Sequence, residues 1–147
     1  MSKNIFTIGF TQKSAEIFFS LLKTNGVQRL VDTRLNNTGQ LAGFSKRDDL
    51  KYFCKAIADI SYIHWEESAP EESALKAFKS KNISWEVYAN EYISTLQRRK
   101  VELSSASVLG DSACLLCSEA KPHQCHRSLL AKYLTEKSHI QHKVIHL

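Results

Sequence analysis

The chain has 147 residues, 43% of them apolar and 24% charged, which suits one globular domain with one core that needs neither disulfides nor metal for stability. With 20 Lys and Arg against 15 Asp and Glu, it carries a formal charge of +5 and a pI near 9.0, a mild bias toward anionic partners, small molecules or nucleic acid. No apolar run is long enough to cross a bilayer, which excludes membrane insertion.

Ile5-Phe6-Thr7-Ile8 reads as a short buried strand stopped by Gly9. Ser14 then caps a helix with Ile17, Phe18, Leu21 and Leu22 on one side, and Asn25-Gly26 ends it. Gln28-Arg29-Leu30-Val31-Asp32-Thr33 is a second strand, giving the β-α-β rhythm of a parallel sheet with a right-handed crossover. Residues 34–44 lose periodicity and gain Asn36, Asn37, Thr38, Gly39 and Gly43, the composition of an irregular loop. Ser45 with Asp48 resembles a capping box for a helix bearing Leu50, Phe53, Cys54 and Ile57, which makes Cys54 a core residue.

Ile60-Ser61-Tyr62-Ile63-His64-Trp65 alternates as a third strand, and Pro70 is placed to start a helix running to about Lys81. Trp85, Tyr88, Ala89, Tyr92, Ile93 and Leu96 share one face of the next helix, a pattern for core packing rather than base stacking. Arg98-Arg99-Lys100 falls where that helix ends and cations suit its dipole. Residues 104–112 read as a polar connection, and Ala113-Cys114-Leu115-Leu116-Cys117 as a central strand buried on both faces. Leu129, Leu130, Tyr133 and Leu134 mark a last helix, and Lys143-Val144-Ile145-His146-Leu147 closes the sheet. The expectation is a single α/β domain over residues 1–147, a mainly parallel sheet of about five strands with helices on both faces.

In such sheets ligands bind beyond the carboxyl ends of the strands. That rule selects Gly9-Phe10-Thr11, Asp32-Thr33-Arg34, His64-Trp65-Glu66 and Cys117-Ser118-Glu119. Cys125-His126-Arg127 follows Pro122 and opens the last helix, so the helix N-terminus favours a Cys125 thiolate, with His126 and Arg127 adding positive charge. Alternatively Cys125 packs as a small hydrophobe while Arg127 pairs with Glu119 or Asp32. Cys117 does not open a phosphatase-like loop: His123 stands where such loops carry arginine, and Glu119 would repel phosphate, which leaves Cys117 as a buried strand residue.

Cys117, His123, Cys125 and His126 cluster in sequence, but their spacing is poor for zinc, so no metal and no cofactor are expected; His139, His142 and His146 read as surface or strand residues. The N-terminus shows no signal-peptide pattern, which points to the cytoplasm and reduced thiols. Nothing in the pattern sets an oligomeric state.

The leading expectation is a small enzyme for a phosphorylated or nucleotide-like anion. Arg34 and Arg127 hold the anion beside Thr11 and Asp32, Glu119 is the acid/base, and Cys125 and His126 complete the catalytic set. Arg34 and Glu119 can equally form a structural ion pair. Two alternatives stand beside it: a nucleic-acid-binding module using Arg98-Arg99-Lys100 with Lys76, Lys79 and Lys81, and a thiol-dependent catalyst using Cys125.

Thr7-Ile8-Gly9, Val31-Asp32-Thr33-Arg34, Phe44, Leu115-Leu116-Cys117-Ser118-Glu119, Pro122 and Cys125-His126-Arg127 together resemble the domain-of-unknown-function 488 family, in order along nearly the whole chain. The Cys-x-Glu…Cys-His-Arg block is the most specific part of the resemblance. It implies a compact α/β domain with a strand-end pocket, matches Arg34, Glu119, Cys125, His126 and Arg127 to the family's polar positions, and implies no established reaction. Two departures stand out: Phe10, where the family often has His, and Glu66-Glu67-Ser68, where a Leu-Gly-Gly-like turn is common.

Overall fold

The computed structural model describes residues 2–38, 43–117, 125–137 and 141–147. Five strands, β1 (Ser2–Gly9), β2 (Arg29–Asp32), β3 (Ser61–His64), β4 (Ala113–Cys117) and β5 (Gln141–His146), form one all-parallel sheet in the order β3-β2-β4-β1-β5. All five β4 residues are buried, as an uninterrupted Ala-Cys-Leu-Leu-Cys run requires of a strand covered on both faces.

Alternation along the strands divides the core in two. Phe6, Ile8, Leu30 and Leu116 pack against Phe18 and Leu22 of α1 (Ala15–Thr24) and Leu50 and Cys54 of α2 (Arg47–Ala58). On the opposite face Ile5, Val31 and Leu115 meet Tyr92 and Leu96 of α4 (Trp85–Arg99), Leu109 of α5 (Glu102–Leu109), and Leu130 and Leu134 of α6 (His126–Lys137). The short α3 (Glu72–Lys79) lies against α4. The expected single α/β domain with both sheet faces covered is therefore what forms, and no described helix is long and apolar enough to cross a membrane.

Three local expectations change. In α1 the buried residues are Phe18, Phe19 and Leu22, while Ile17 is exposed; two adjacent phenylalanines reach the sheet because both rings close on Phe44 from the loop ahead of α2. Ser45 does not cap α2: it is buried in a 3-10 turn (Gly43–Ser45), and Lys46 stands at the cap without a side-chain bond. The supposed polar connection holds α5. Its serines bond back within the helix, Ser104, Ser105 and Ser107 donating to the carbonyls of Val101, Glu102 and Ser104, so a serine-rich stretch satisfies its hydroxyls without leaving helical geometry.

Ser14 does cap α1, its Oγ accepting from the Ile17 amide at 3.2 Å. Ser14→Ala is expected to cost about 1 kcal/mol in urea unfolding, and Ser14→Gly only a few tenths.

Candidate functional site

The connectivity fixes where a ligand can enter. From β1 the chain passes over one sheet face through α1 to β2; from β4 it passes over the other through α6 to β5. Since β1 and β4 are neighbours and lead to helices on opposite faces, Gly9 and Cys117 stand at the switch point of the carboxyl edge, the position where such sheets bind ligands.

Cys117 ends β4 and Cys125 directly precedes α6, and the two are joined in a disulfide. This corrects the expectation of four reduced thiols: Cys54 and Cys114 are free, but the packing of α6 beside β4 sets Cys125 against Cys117. Both paired cysteines are buried. The fully buried Arg127 donates from Nη1 to Cys117 Sγ at 3.3 Å. A guanidinium beside one sulfur and a helix N-terminus beside the other both favour thiolates once the bond is opened. By contrast, burial pushes the Cys54 thiol up to about 12, and burial likewise drives Cys114 well above its ordinary value, so neither free thiol is chemically available at neutral pH.

His126 hangs from the first residue of α6 with its Nε2 at 2.9 Å from the Thr33 carbonyl and 3.0 Å from Thr33 Oγ1. The Thr33 hydroxyl gives its own proton to the Leu116 carbonyl at 2.8 Å. Both Thr33 oxygens thus accept, which puts the imidazole proton on Nε2 and leaves the Nδ1 lone pair open. The ring also lies edge-on to Tyr92, centroids 5.4 Å apart. Burial, reinforced by the charge of Arg127 and opposed by the Thr33 bond, lowers His126 to about 4, so it is neutral at pH 7.

The profile of a family described as Domain of unknown function DUF488 matches residues 14–134, most of the chain. The chain belongs to the DUF488 family. No curated protein and no solved structure matches it.

Other expected site residues of this DUF488 chain are placed differently. Arg34 is bound by Asp32 in a buried bidentate pair, Nε to Oδ1 and Nη2 to Oδ2, both at 2.9 Å, and Nη2 also donates to the Ser45 carbonyl at 2.7 Å. Tyr62 donates to Asp32 Oδ2 at 2.5 Å and Asn37 Nδ2 lies 3.4 Å from the same oxygen. Phe10 lies under the Arg34 guanidinium, whose Cζ is 5.2 Å from the ring centroid. Burial alone would raise the Asp32 carboxyl, but the hydrogen bonds and charge of Arg34 and the Tyr62 hydroxyl outweigh it, and it falls below its usual value. The partner of Asp32 is thus Arg34 and not Arg127.

Thr11 is half-buried in the turn after β1, which the Lys13 amide closes on the Phe10 carbonyl at 3.2 Å. Glu119, with Ser118, Pro122 and His123, lies outside the described residues. Glu66–Ser68 forms a 3-10 turn whose Ser68 carbonyl accepts from the Tyr92 hydroxyl at 2.6 Å.

Sequence reasoning passed over Thr33 and Lys13. Thr33 was within a strand-end triplet, yet its two oxygens are what fix His126. Lys13 closes the turn after β1, and burial, then the nearby charge of Arg127, lowers its ammonium; no local motif marks it. Three of the six basic residues of the nucleic-acid reading are engaged within the chain: Arg98 pairs with Glu71, Arg99 donates to the Glu67 and Ala69 carbonyls, and Lys76 pairs with Glu72.

Proposed function

We propose that this DUF488 protein is a thiol-dependent enzyme for a small anionic molecule bearing an electrophilic sulfur, with Cys125 as nucleophile and Cys117 as the resolving thiol. The supporting observation is the Cys117–Cys125 pair at the carboxyl end of β4, with Arg127 on Cys117 and the α6 N-terminus at Cys125. The Cys125 thiolate attacks the substrate sulfur and expels the first half as a thiolate. Cys117 then attacks Cys125 Sγ, expels the second half, and leaves the intramolecular disulfide, which an external dithiol reduces. Arg127 and the neighbouring Lys13 supply the positive field that selects an anion. A cytoplasmic setting fits this chemistry, because disulfides there are mostly transient, catalytic or redox-sensing.

An acid/base enzyme built on Glu119, with Arg34 and Arg127 as anion clamp and Thr11 and Asp32 beside them, has less support, since the Arg34 fork is already filled by Asp32. A nucleic-acid module has less again, given the carboxylates and carbonyls that hold Arg98, Arg99 and Lys76.

The test is reaction of the reduced protein with glutathione disulfide, followed by intact-mass spectrometry. Wild type is expected to return to its internal disulfide with release of both glutathione halves, Cys117→Ser to accumulate the mixed disulfide on Cys125, and Cys125→Ser to stay unmodified. Equal modification of both variants, or an inert reduced wild type, would contradict the assignment.

A further inference from the structure

The fold brings together three of the four metal-donor residues whose sequence spacing argued against a metal. Cys117 Sγ, Cys125 Sγ and a ring nitrogen of His126 all lie within 4.8 Å of one another, the one such group among the described residues. Bonds of about 2.3 Å to sulfur and about 2.0 Å to nitrogen set tetrahedral donor separations of about 3.6–3.8 Å, so these atoms need move little to share one ion. We propose that, in its reduced state, the protein binds one zinc-class divalent cation through Cys117, Cys125 and His126, the three donors that the described residues bring together.

Two features outside the donor set support this. A metal-bound imidazole normally gives its other N–H to a carbonyl, which fixes the tautomer; here Nε2–H already points at the two Thr33 oxygens and leaves the Nδ1 lone pair for a ligand bond. An N–H donor on a ligating sulfur stabilises the thiolate, and Arg127 Nη1 is in that position on Cys117. Two soft thiolates and one neutral imidazole select zinc-class ions over magnesium or calcium, which take oxygen.

Occupancy is coupled to redox state. Two electrons and two protons from an external dithiol convert the disulfide to two thiols, and binding a divalent cation then releases both protons. Two-electron oxidation by hydrogen peroxide, itself reduced to water, restores the disulfide and expels the ion.

The site uses the sulfurs of the proposed enzyme but not their reactivity. Reduced protein that binds metal without exchanging with glutathione disulfide would keep the site and lose the enzyme reading; the reverse result would do the opposite.

The experiment titrates Co²⁺ into the reduced, chelator-stripped full chain and records the sulfur-to-cobalt charge-transfer and tetrahedral d–d absorption. One cobalt per chain is expected, with both features abolished by peroxide and displaced by Zn²⁺. Cys117→Ser and Cys125→Ser are expected to lose the charge-transfer band, His126→Ala to weaken binding about tenfold or more, and Cys114→Ser to change nothing. A variant that does not fold is replaced by a wild-type measurement, in which bound Zn²⁺ must protect Cys117 and Cys125 from alkylation. Absence of cobalt absorption in the reduced protein, a band that survives both cysteine substitutions, or no zinc protection overturns the proposal.

Discussion

Asp32→Asn is expected to destabilise the protein by about 3–5 kcal/mol, the cost of removing one partner from a buried ion pair. The Asp32 side chain is fully buried and that of Arg34 is 8% exposed, so solvent cannot take over the lost charge. The carboxylate also accepts from the Arg34 amide on Oδ1 and from the Tyr62 hydroxyl on Oδ2, and asparagine keeps an acceptor at one of these positions while turning an NH2 donor toward the other. Urea unfolding at pH 7 measures the loss. Asp32→Leu combined with Arg34→Met is expected to cost less than the sum of the single changes, because the stranded guanidinium is then gone. A loss below about 1 kcal/mol for Asp32→Asn would mean that the pair behaves as a solvent-screened one. The dependence on pH has a definite sign. A carboxyl lowered in the folded state contributes stability above its unfolded value of 3.8 and loses it as pH falls below that point, so Asp32→Asn should flatten this acid limb.

His126 governs a separate window. Its folded value of about 4 lies below the ordinary 6.5, so on acidification the unfolded chain takes up the proton first. Stability is complete above pH 6.5 and falls as pH drops from 6.5 toward 4, by about 2–3 kcal/mol once the partial exposure of the ring is discounted. Urea unfolding of metal-free protein at pH 7 and pH 4.5 should show the drop in wild type and a smaller one in His126→Gln, which keeps a donor for the Thr33 carbonyl but cannot titrate. Equal drops in the two proteins would mean that the imidazole reaches solvent freely enough to protonate in the folded state.

The sheet was legible because its strands carry their own signatures. An uninterrupted apolar run such as Ala113-Cys114-Leu115-Leu116-Cys117 has nowhere to go but a strand covered on both faces, and Gly9 and Asn25-Gly26 punctuate the first β-α-β unit. Local pattern failed where distant contacts decided. Phe19 outranks Ile17 because Phe44 reaches it from another element, and α5 hides among serines because its apolar residues form no clear stripe. The candidate site divides along the same line. Cys125, His126 and Arg127 announced themselves as a helix start rich in reactive groups, whereas the strand-end rule selected the segments holding Cys117 and Thr33 without giving either residue a role. What the pattern lacked was any measure of closure: the bond between Cys117 and Cys125 depends on how α6 packs beside β4, and the filling of Arg34 by Asp32 depends on a turn only two residues long.

The reactivity of Cys125 is the centre of the account. Reduced, metal-free protein alkylated with iodoacetamide across a pH series, with each cysteine followed by peptide mass spectrometry, reads it directly. Cys125 should label with an inflection below the ordinary thiol value of about 8.5, while Cys54, held up at about 12 by burial, stays unlabelled through neutral pH. An inflection for Cys125 at or above that ordinary value, or labelling no faster than Cys54, would contradict a nucleophilic thiol at this site.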